Sequence, residues 1–179
     1  MESIRHIFLT GEKQVGKSTL WRKVLAQSGI NPIGFQTLQY LVNNCFRGYR
    51  LHCLGPVPES FGNDVPISVF LRRKCHLPVP QSFNLYGSEL LRLAREQGGY
   101  VMMDELGIFE KDASAFRQAV VDCLNSDCHV LGVLQKADDP YLDAILNRPD
   151  VLAVTVTKEN RNTLAEPLLE ALTQLKLKR

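Results

Sequence analysis

The stretch GEKQVGKST, Gly11 to Thr19, constrains this chain more than any other. It fits G-x-x-x-x-G-K-[ST], a turn whose backbone N–H groups point inward at phosphate. Before it runs IRHIFLT, Ile4 to Thr10, which is short, apolar and β-rich and reads as a buried strand. After it, Leu20, Trp21, Val24 and Leu25 recur at helical spacing, and Gly29 with Pro32 beyond ends that helix. Gly11 and Gly16 let the chain turn tightly, and the new helix adds its positive end. Lys17 is expected to reach the β- and γ-phosphates of a nucleotide, and Ser18 to place its hydroxyl on Mg²⁺. The whole loop, Gly11, Glu12, Lys13, Gln14, Val15, Gly16, Lys17, Ser18 and Thr19, is thus a candidate phosphate cradle. Its middle is bulky. An acid at position 12 repels phosphate unless it faces solvent or Lys13 offsets it.

The rest of the chain alternates strands with helices. IGFQTLQYLV (Ile33 to Val42) and CFRGYRLHCL (Cys45 to Leu54), joined by Asn43-Asn44, suggest a β-hairpin. Gly55 to Pro80 is rich in Pro and Gly, with a short strand expected at Ile67 to Leu71. Helical spacing follows from Leu85 to Glu96, then a strand from Tyr100 to Gly107. A helix presents Phe116, Ala119, Val120, Cys123 and Leu124 on one face, with Asp112 as a candidate N-cap. His129 to Gln135 reads as a strand, YLDAILN as a short helix, Val151 to Thr157 as a strand, and Leu164 to Leu175 as the last helix. This alternation predicts an α/β fold with a mostly parallel sheet covered on both faces, the hairpin being the antiparallel exception. Ligands of such sheets bind beyond the carboxyl ends of the strands. Gly11, Asp104, Gln135 and Thr157 all fall at predicted carboxyl ends.

Length and charge narrow the alternatives. The 179 residues suit one domain, 1–179, with the hairpin and Pro-rich insertion at about 33–84. A net charge of +2 makes no case for nucleic acid or an acidic membrane, and Arg72-Arg73-Lys74 reads as a solvated loop face. No apolar run approaches the roughly 18 residues of a transmembrane helix, and the start of the chain does not resemble a signal peptide. A cytoplasmic protein, monomeric or weakly oligomeric, is expected. Its five cysteines show no CxxC and read as reduced, buried thiols rather than a zinc site.

YVMMDELG ends in two carboxylates, and each has a use beside a triphosphate. Asp104 stands where a metal-side acid belongs and would hold Mg²⁺ through water. Glu105 would orient and deprotonate an attacking water.

MDELGIFE resembles the D-E-I-G-x-M-E segment of the cancer-related and thermophilic nucleoside-triphosphatase family. TGEKQVGKSTL is similar to that family's T-G-x-x-G-x-G-K-[ST]-T-L, Gly34-Phe35-Gln36-Thr37 to its G-F-x-T, and NRPDVLAVTVTKENRN (Asn147 to Asn162) to its N-R-x-D-V-x-V-x-x-V-T-x-x-N-R. The resemblance spans both ends and the centre. It implies a three-layer, RecA-like, ASCE-type P-loop NTPase fold, with another strand between the phosphate-loop strand and the Asp-Glu strand. It implies Mg²⁺-dependent hydrolysis of nucleoside triphosphates such as ATP or GTP to diphosphates, with broad base tolerance. Lys17 and Ser18 carry over as phosphate and metal contacts, Asp104 as the metal-side acid, and Glu105 as the water activator. Thr157, Lys158, Asn160 and Arg161 fall at the family's nucleobase end, although a capping role for Asn160 or Asn162 fits the residues equally. The chain departs from the family at Gln14, where the loop usually has a third glycine. It departs again at Leu38-Gln39, where an acidic pair is missing, and across Gly55 to Asn84.

Arg148 precedes the last strand, where it would either stabilise charge on the departing phosphate or pair with Asp150. Two other functions share the scaffold. A kinase would need an acceptor site, which Gly34 to Pro80 would build, with Phe35, Tyr40, Phe46 and Tyr49 stacking on a base or lying in the core. A nucleotide switch would bind without rapid turnover.

Overall fold

The computed structural model describes residues 3–71 and 75–176. The basic run Arg72-Arg73-Lys74 lies outside the described residues. Eight strands form one sheet: β1 (His6–Thr10), β2 (Ile33–Val42), β3 (Cys45–Leu54), β4 (Asp64–Phe70), β5 (His76–Pro78), β6 (Tyr100–Leu106), β7 (His129–Leu134) and β8 (Val151–Thr155). The helices are α1 (Lys17–Ser28), α2 (Pro80–Ser82), which continues as a π-helical turn over Phe83–Gly87, α3 (Ser88–Gln97), α4 (Ser114–Leu124), α5 (Pro140–Leu146) and α6 (Ala165–Lys176).

The strand order is β5-β4-β3-β2-β6-β7-β1-β8. β2, β6, β7, β1 and β8 run parallel, and β3, β4 and β5 extend the sheet antiparallel. β7 stands between β1 and β6, so the phosphate-loop strand and the Asp-Glu strand are separated by one strand, as a RecA-like sheet requires. The Pro-rich stretch therefore adds two strands where its sequence suggests one. Pro66 and Pro78 lie on these outer strands, where a missing N–H is tolerated.

Alternation on β1 sorts the core into two layers. Ile7 and Leu9 face Trp21 and Val24 of α1 and Leu168 and Leu172 of α6. Phe8 faces the other way, toward Leu90 and Leu91 of α3 and Phe116 and Val120 of α4. Trp21 locks α1 onto the sheet through Nε1, which donates to Gly132 O at 2.8 Å. Gly34 is demanded by a close approach: its φ is 129°, and a Cβ there would lie 2.1 Å from Met102 O on β6. The hairpin turns through Asn43 and Asn44, both at positive φ (50° and 59°), the pair that a tight two-residue turn selects.

One cap differs from the sequence reading. The residue before α4 is Ala113, not Asp112, and it supplies no side-chain cap. Asn84 does so from the π-helical turn, its Oδ1 accepting from Ala115 N at 3.0 Å and Phe116 N at 3.3 Å. Cys53, Cys123 and Cys128 are buried free thiols, whereas Cys45 and Cys75 are exposed. Among the described residues no three His, Cys, Asp or Glu side chains gather as a metal cage, and no helix is long and apolar enough to cross a membrane.

Candidate active site

The loop leaves β1 at Gly11, whose φ is 129° and whose α-carbon lies against the residue after β8: a Cβ there would meet Val156 O at 2.3 Å. Gln14 occupies the left-handed region at φ 61°, which explains why a glycine suits that position in the related loops. Gly16 caps α1, and Lys17 opens it. Lys17 is buried. Two of its three N–H bonds donate to Gly11 O (2.9 Å) and Glu12 O (2.8 Å), leaving one for a phosphate. The acid at position 12 is answered from far away. Glu12 points to solvent, and Lys136 Nζ, just beyond β7, donates to its Oε1 at 3.0 Å. The Lys136 ammonium holds the Glu12 carboxyl below the usual range. Lys136 rather than Lys13 is its partner.

Ser18 Oγ donates to Asp104 Oδ1 at 2.9 Å, which joins the start of α1 to the end of β6. Asp104 is buried, and burial pushes its pKa up to about 6; the Ser18 hydrogen bond opposes this, and the nearby Glu105 charge adds to it. The pair offers two oxygen donors at a helix N-terminus, a donor set suited to a hard cation such as Mg²⁺.

Glu105 sits at an irregularity. The β6–β7 register pairs Asp104 with Val133 and Leu106 with Leu134, so Glu105 is the extra residue of a bulge, and its preceding peptide is cis. A bulge re-aims a side chain, and Glu105 shares a cavity wall with Ser18 and Asp104. Its backbone N donates to Thr37 Oγ1 at 3.2 Å, which gives the threonine of G-F-x-T a role. Burial raises the Glu105 pKa, and Lys17 and Lys13 pull it back.

Two further residues frame the site. Glu110 is buried, and burial pushes it up to about 8; its Oε1 accepts from Gly107 N at 2.5 Å. Gln135 Oε1 accepts from Ile108 N at 3.1 Å. Together they close the turn after β6. Glu110 is the last residue of the quoted MDELGIFE motif, so its position was visible in sequence but its role was not. Lys136 carried no sequence signal at all.

At the other edge, the turn after β8 is self-contained. Asn160 Oδ1 accepts from Thr157 N (2.8 Å), its Nδ2 donates to Thr155 O (2.9 Å), and Thr157 Oγ1 accepts from Asn160 N (3.3 Å). Asn160 thus spends its amide on the turn, the capping alternative. Arg161 reaches the loop, with Nη1 donating to Val15 O at 3.4 Å beside Gly16. Lys158 is exposed.

Of its two readings, Arg148 takes the pairing with Asp150. It lies before the amino end of β8, and Arg5 N and His6 N at the start of β1 donate to Asp150 O. The phosphate loop is at the carboxyl end of β1, five residues further and roughly 16 Å away at strand rise. The guanidinium is engaged with Asp150, through Nε–Oδ1 and Nη2–Oδ2 at 2.9 Å each, and with Asn125 and the Leu124 carbonyl.

The NTPase family model matches residues 6–169. A nucleoside-triphosphatase THEP1 of Thermotoga maritima is 28% identical over 167 residues, covering 93% of this chain and 94% of the relative. The human cancer-related nucleoside-triphosphatase is 32% identical, covering 89% and 92%. Among solved structures, THEP1 from Aquifex aeolicus superposes with a TM-score of 0.74 at 25% identity (93% and 98% covered). The solution structure of the human protein gives 0.72 at 30% (94% and 97%). A match that runs from β1 into α6 takes in the loop, the Asp-Glu strand and the last turn together, and the chain belongs to this nucleoside-triphosphatase family.

Proposed function

We propose that this chain hydrolyses nucleoside triphosphates to diphosphate and phosphate with Mg²⁺. The observation that carries the reading is the placement of Glu105 in one wall with Ser18 and Asp104, directly beside the phosphate loop. The loop amides and Lys17 hold the β- and γ-phosphates. Ser18 and Asp104 hold the cation, which would supply charge stabilisation on the phosphate oxygens. Glu105 accepts a proton from the attacking water as its oxygen bonds to the γ-phosphorus and the bond to the bridging oxygen breaks. A carboxylate whose pKa is raised by burial is a stronger base once ionised, and the Lys17 and Lys13 charges act against that rise. Broad base tolerance belongs to the same reading, since both ends of the Asn160 amide already bond the turn after β8, to Thr157 N and Thr155 O.

Phosphate release from ATP, GTP, CTP and UTP tests the reading with wild type, Lys17→Ala and Glu105→Gln. The expected result is turnover by wild type and a loss of about 10²–10⁴-fold in kcat for Glu105→Gln with nucleotide binding retained. Equal rates for wild type and Glu105→Gln would remove Glu105 as the base.

A further inference from the structure

The cavity beside Glu105 is far larger than a water molecule requires. Its volume is about 530 Å³, within the roughly 300–1,000 Å³ of small-molecule pockets. A second hollow of about 240 Å³ is the phosphate seat, formed by the loop and Glu105. Gln14, Ser18 and Glu105 line both spaces, so the two join beside the candidate base.

The antiparallel strands and the turn after β6 supply a wall of rings to the same cavity. Tyr49, His76 and Phe109 line the cavity and touch one another, with centroids 5.5 Å (Tyr49–His76), 5.5 Å (Tyr49–Phe109) and 5.8 Å (His76–Phe109) apart. A wall of rings suits a planar aromatic group such as a nucleobase, which can stack on it. Charge narrows the class further. Among the described residues Asp104, Glu105 and Glu110 line the cavity against a single cationic side chain, Lys13. Three acids to one base favour a neutral acceptor over a phosphorylated one.

We propose that this cavity binds a nucleoside as phosphoryl acceptor, its base against Tyr49, His76 and Phe109 and its hydroxyl beside Glu105. The inference rests on the assigned loop and base but replaces water as the nucleophile. The nucleoside hydroxyl oxygen forms a bond to the γ-phosphorus. The bond from that phosphorus to the β–γ bridging oxygen breaks, its electron pair leaving with the nucleoside diphosphate. The hydroxyl proton passes to the Glu105 carboxylate, and the second product is a nucleoside monophosphate. Phosphate release is the same reaction with water in the acceptor's place.

The test uses the full chain with Mg²⁺ and ATP labelled at the γ-phosphate, alone and with millimolar adenosine, guanosine, cytidine, uridine or thymidine. Label in nucleoside monophosphate and in inorganic phosphate is separated by thin-layer chromatography. The expected result is label in the monophosphate of at least one nucleoside. Tyr49→Ala and His76→Ala then lower the ratio of monophosphate to phosphate by about tenfold, the loss of one ring contact. That ratio does not depend on how much of a variant folds. Label confined to inorganic phosphate with all five nucleosides overturns the acceptor and leaves hydrolysis standing. Transfer with an unchanged ratio in both variants overturns the assignment of this cavity. Label in neither product overturns both readings.

Discussion

Replacing Arg148 by alanine separates a catalytic arginine from a structural one. The side chain makes a two-pronged pair with Asp150 at 2.9 Å and donates to Asn125 Oδ1 and Leu124 O at 2.9 and 3.1 Å. The side chains of Arg148 and Asp150 are 26% and 12% exposed. Breaking a fully buried pair costs about 3–5 kcal/mol, and breaking an exposed one costs less than about 1 kcal/mol. A pair this far from water lies between, at about 2–3 kcal/mol. For a chain of this size that lowers Tm by roughly 5–10 °C. The guanidinium also holds Asp150 below the usual carboxylate range, so the lost stability includes an acid left without its partner. Because Arg148 sits at the amino ends of β1 and β8, kcat for phosphate release measured well below Tm stays within about twofold of wild type. Calorimetry and a phosphate-release assay on the same preparation decide the matter. A variant with wild-type Tm and a kcat lowered about tenfold or more would refute the placement and restore a role over the phosphates.

Three further outcomes follow from the same geometry. His6 is fully buried, accepting at Nδ1 from Val130 N (3.1 Å), with Nε2 at 3.1 Å from Leu124 O, and burial lowers its pKa from 6.5 to about 4. Below pH 6.5 the unfolded chain takes up a proton that the folded chain refuses, so this histidine costs stability as pH falls toward 4. Asp104 and Glu110, both raised by burial, act with the opposite sign. Comparison with His6→Gln therefore isolates the effect: urea titrations at pH 7.5 and 5 are expected to show wild type losing about 2 kcal/mol relative to the variant. Gly11→Ala drives a Cβ into Val156 O and displaces the loop; nucleotide affinity by equilibrium dialysis is expected to fall by about tenfold or more. Lys136→Ala removes the salt-bridge partner of Glu12 at the loop; the dissociation constant for ATP is expected to rise about two- to threefold at low salt and less at high salt. An affinity unchanged at low salt would show that Glu12 does not act on the phosphates.

Much of this protein is legible without its fold. The phosphate loop, the helix from Lys17, the Asn43-Asn44 turn and the Asp104-Glu105 strand end are governed by neighbours within a few residues, so spacing and residue type determine them. The parallel sheet follows from alternation, because a strand buried on both faces and a helix with one apolar stripe have few ways to cover each other. Other assignments needed the tertiary structure, and each involves groups that meet only after the chain has closed. Arg148 is near the last strand in sequence, but Asn125 and the Leu124 carbonyl, 23 and 24 residues away, become its partners only once the chain has closed. Glu12 finds Lys136 at a separation of 124 residues, and Asn84 caps a helix 31 residues away. The ring-walled cavity is built from β3, β5 and the turn after β6, and at strand spacing Tyr49 reads first as a core residue. Local chemistry is written in local spacing, whereas the partner of a charge and the far wall of a pocket depend on strand order and direction.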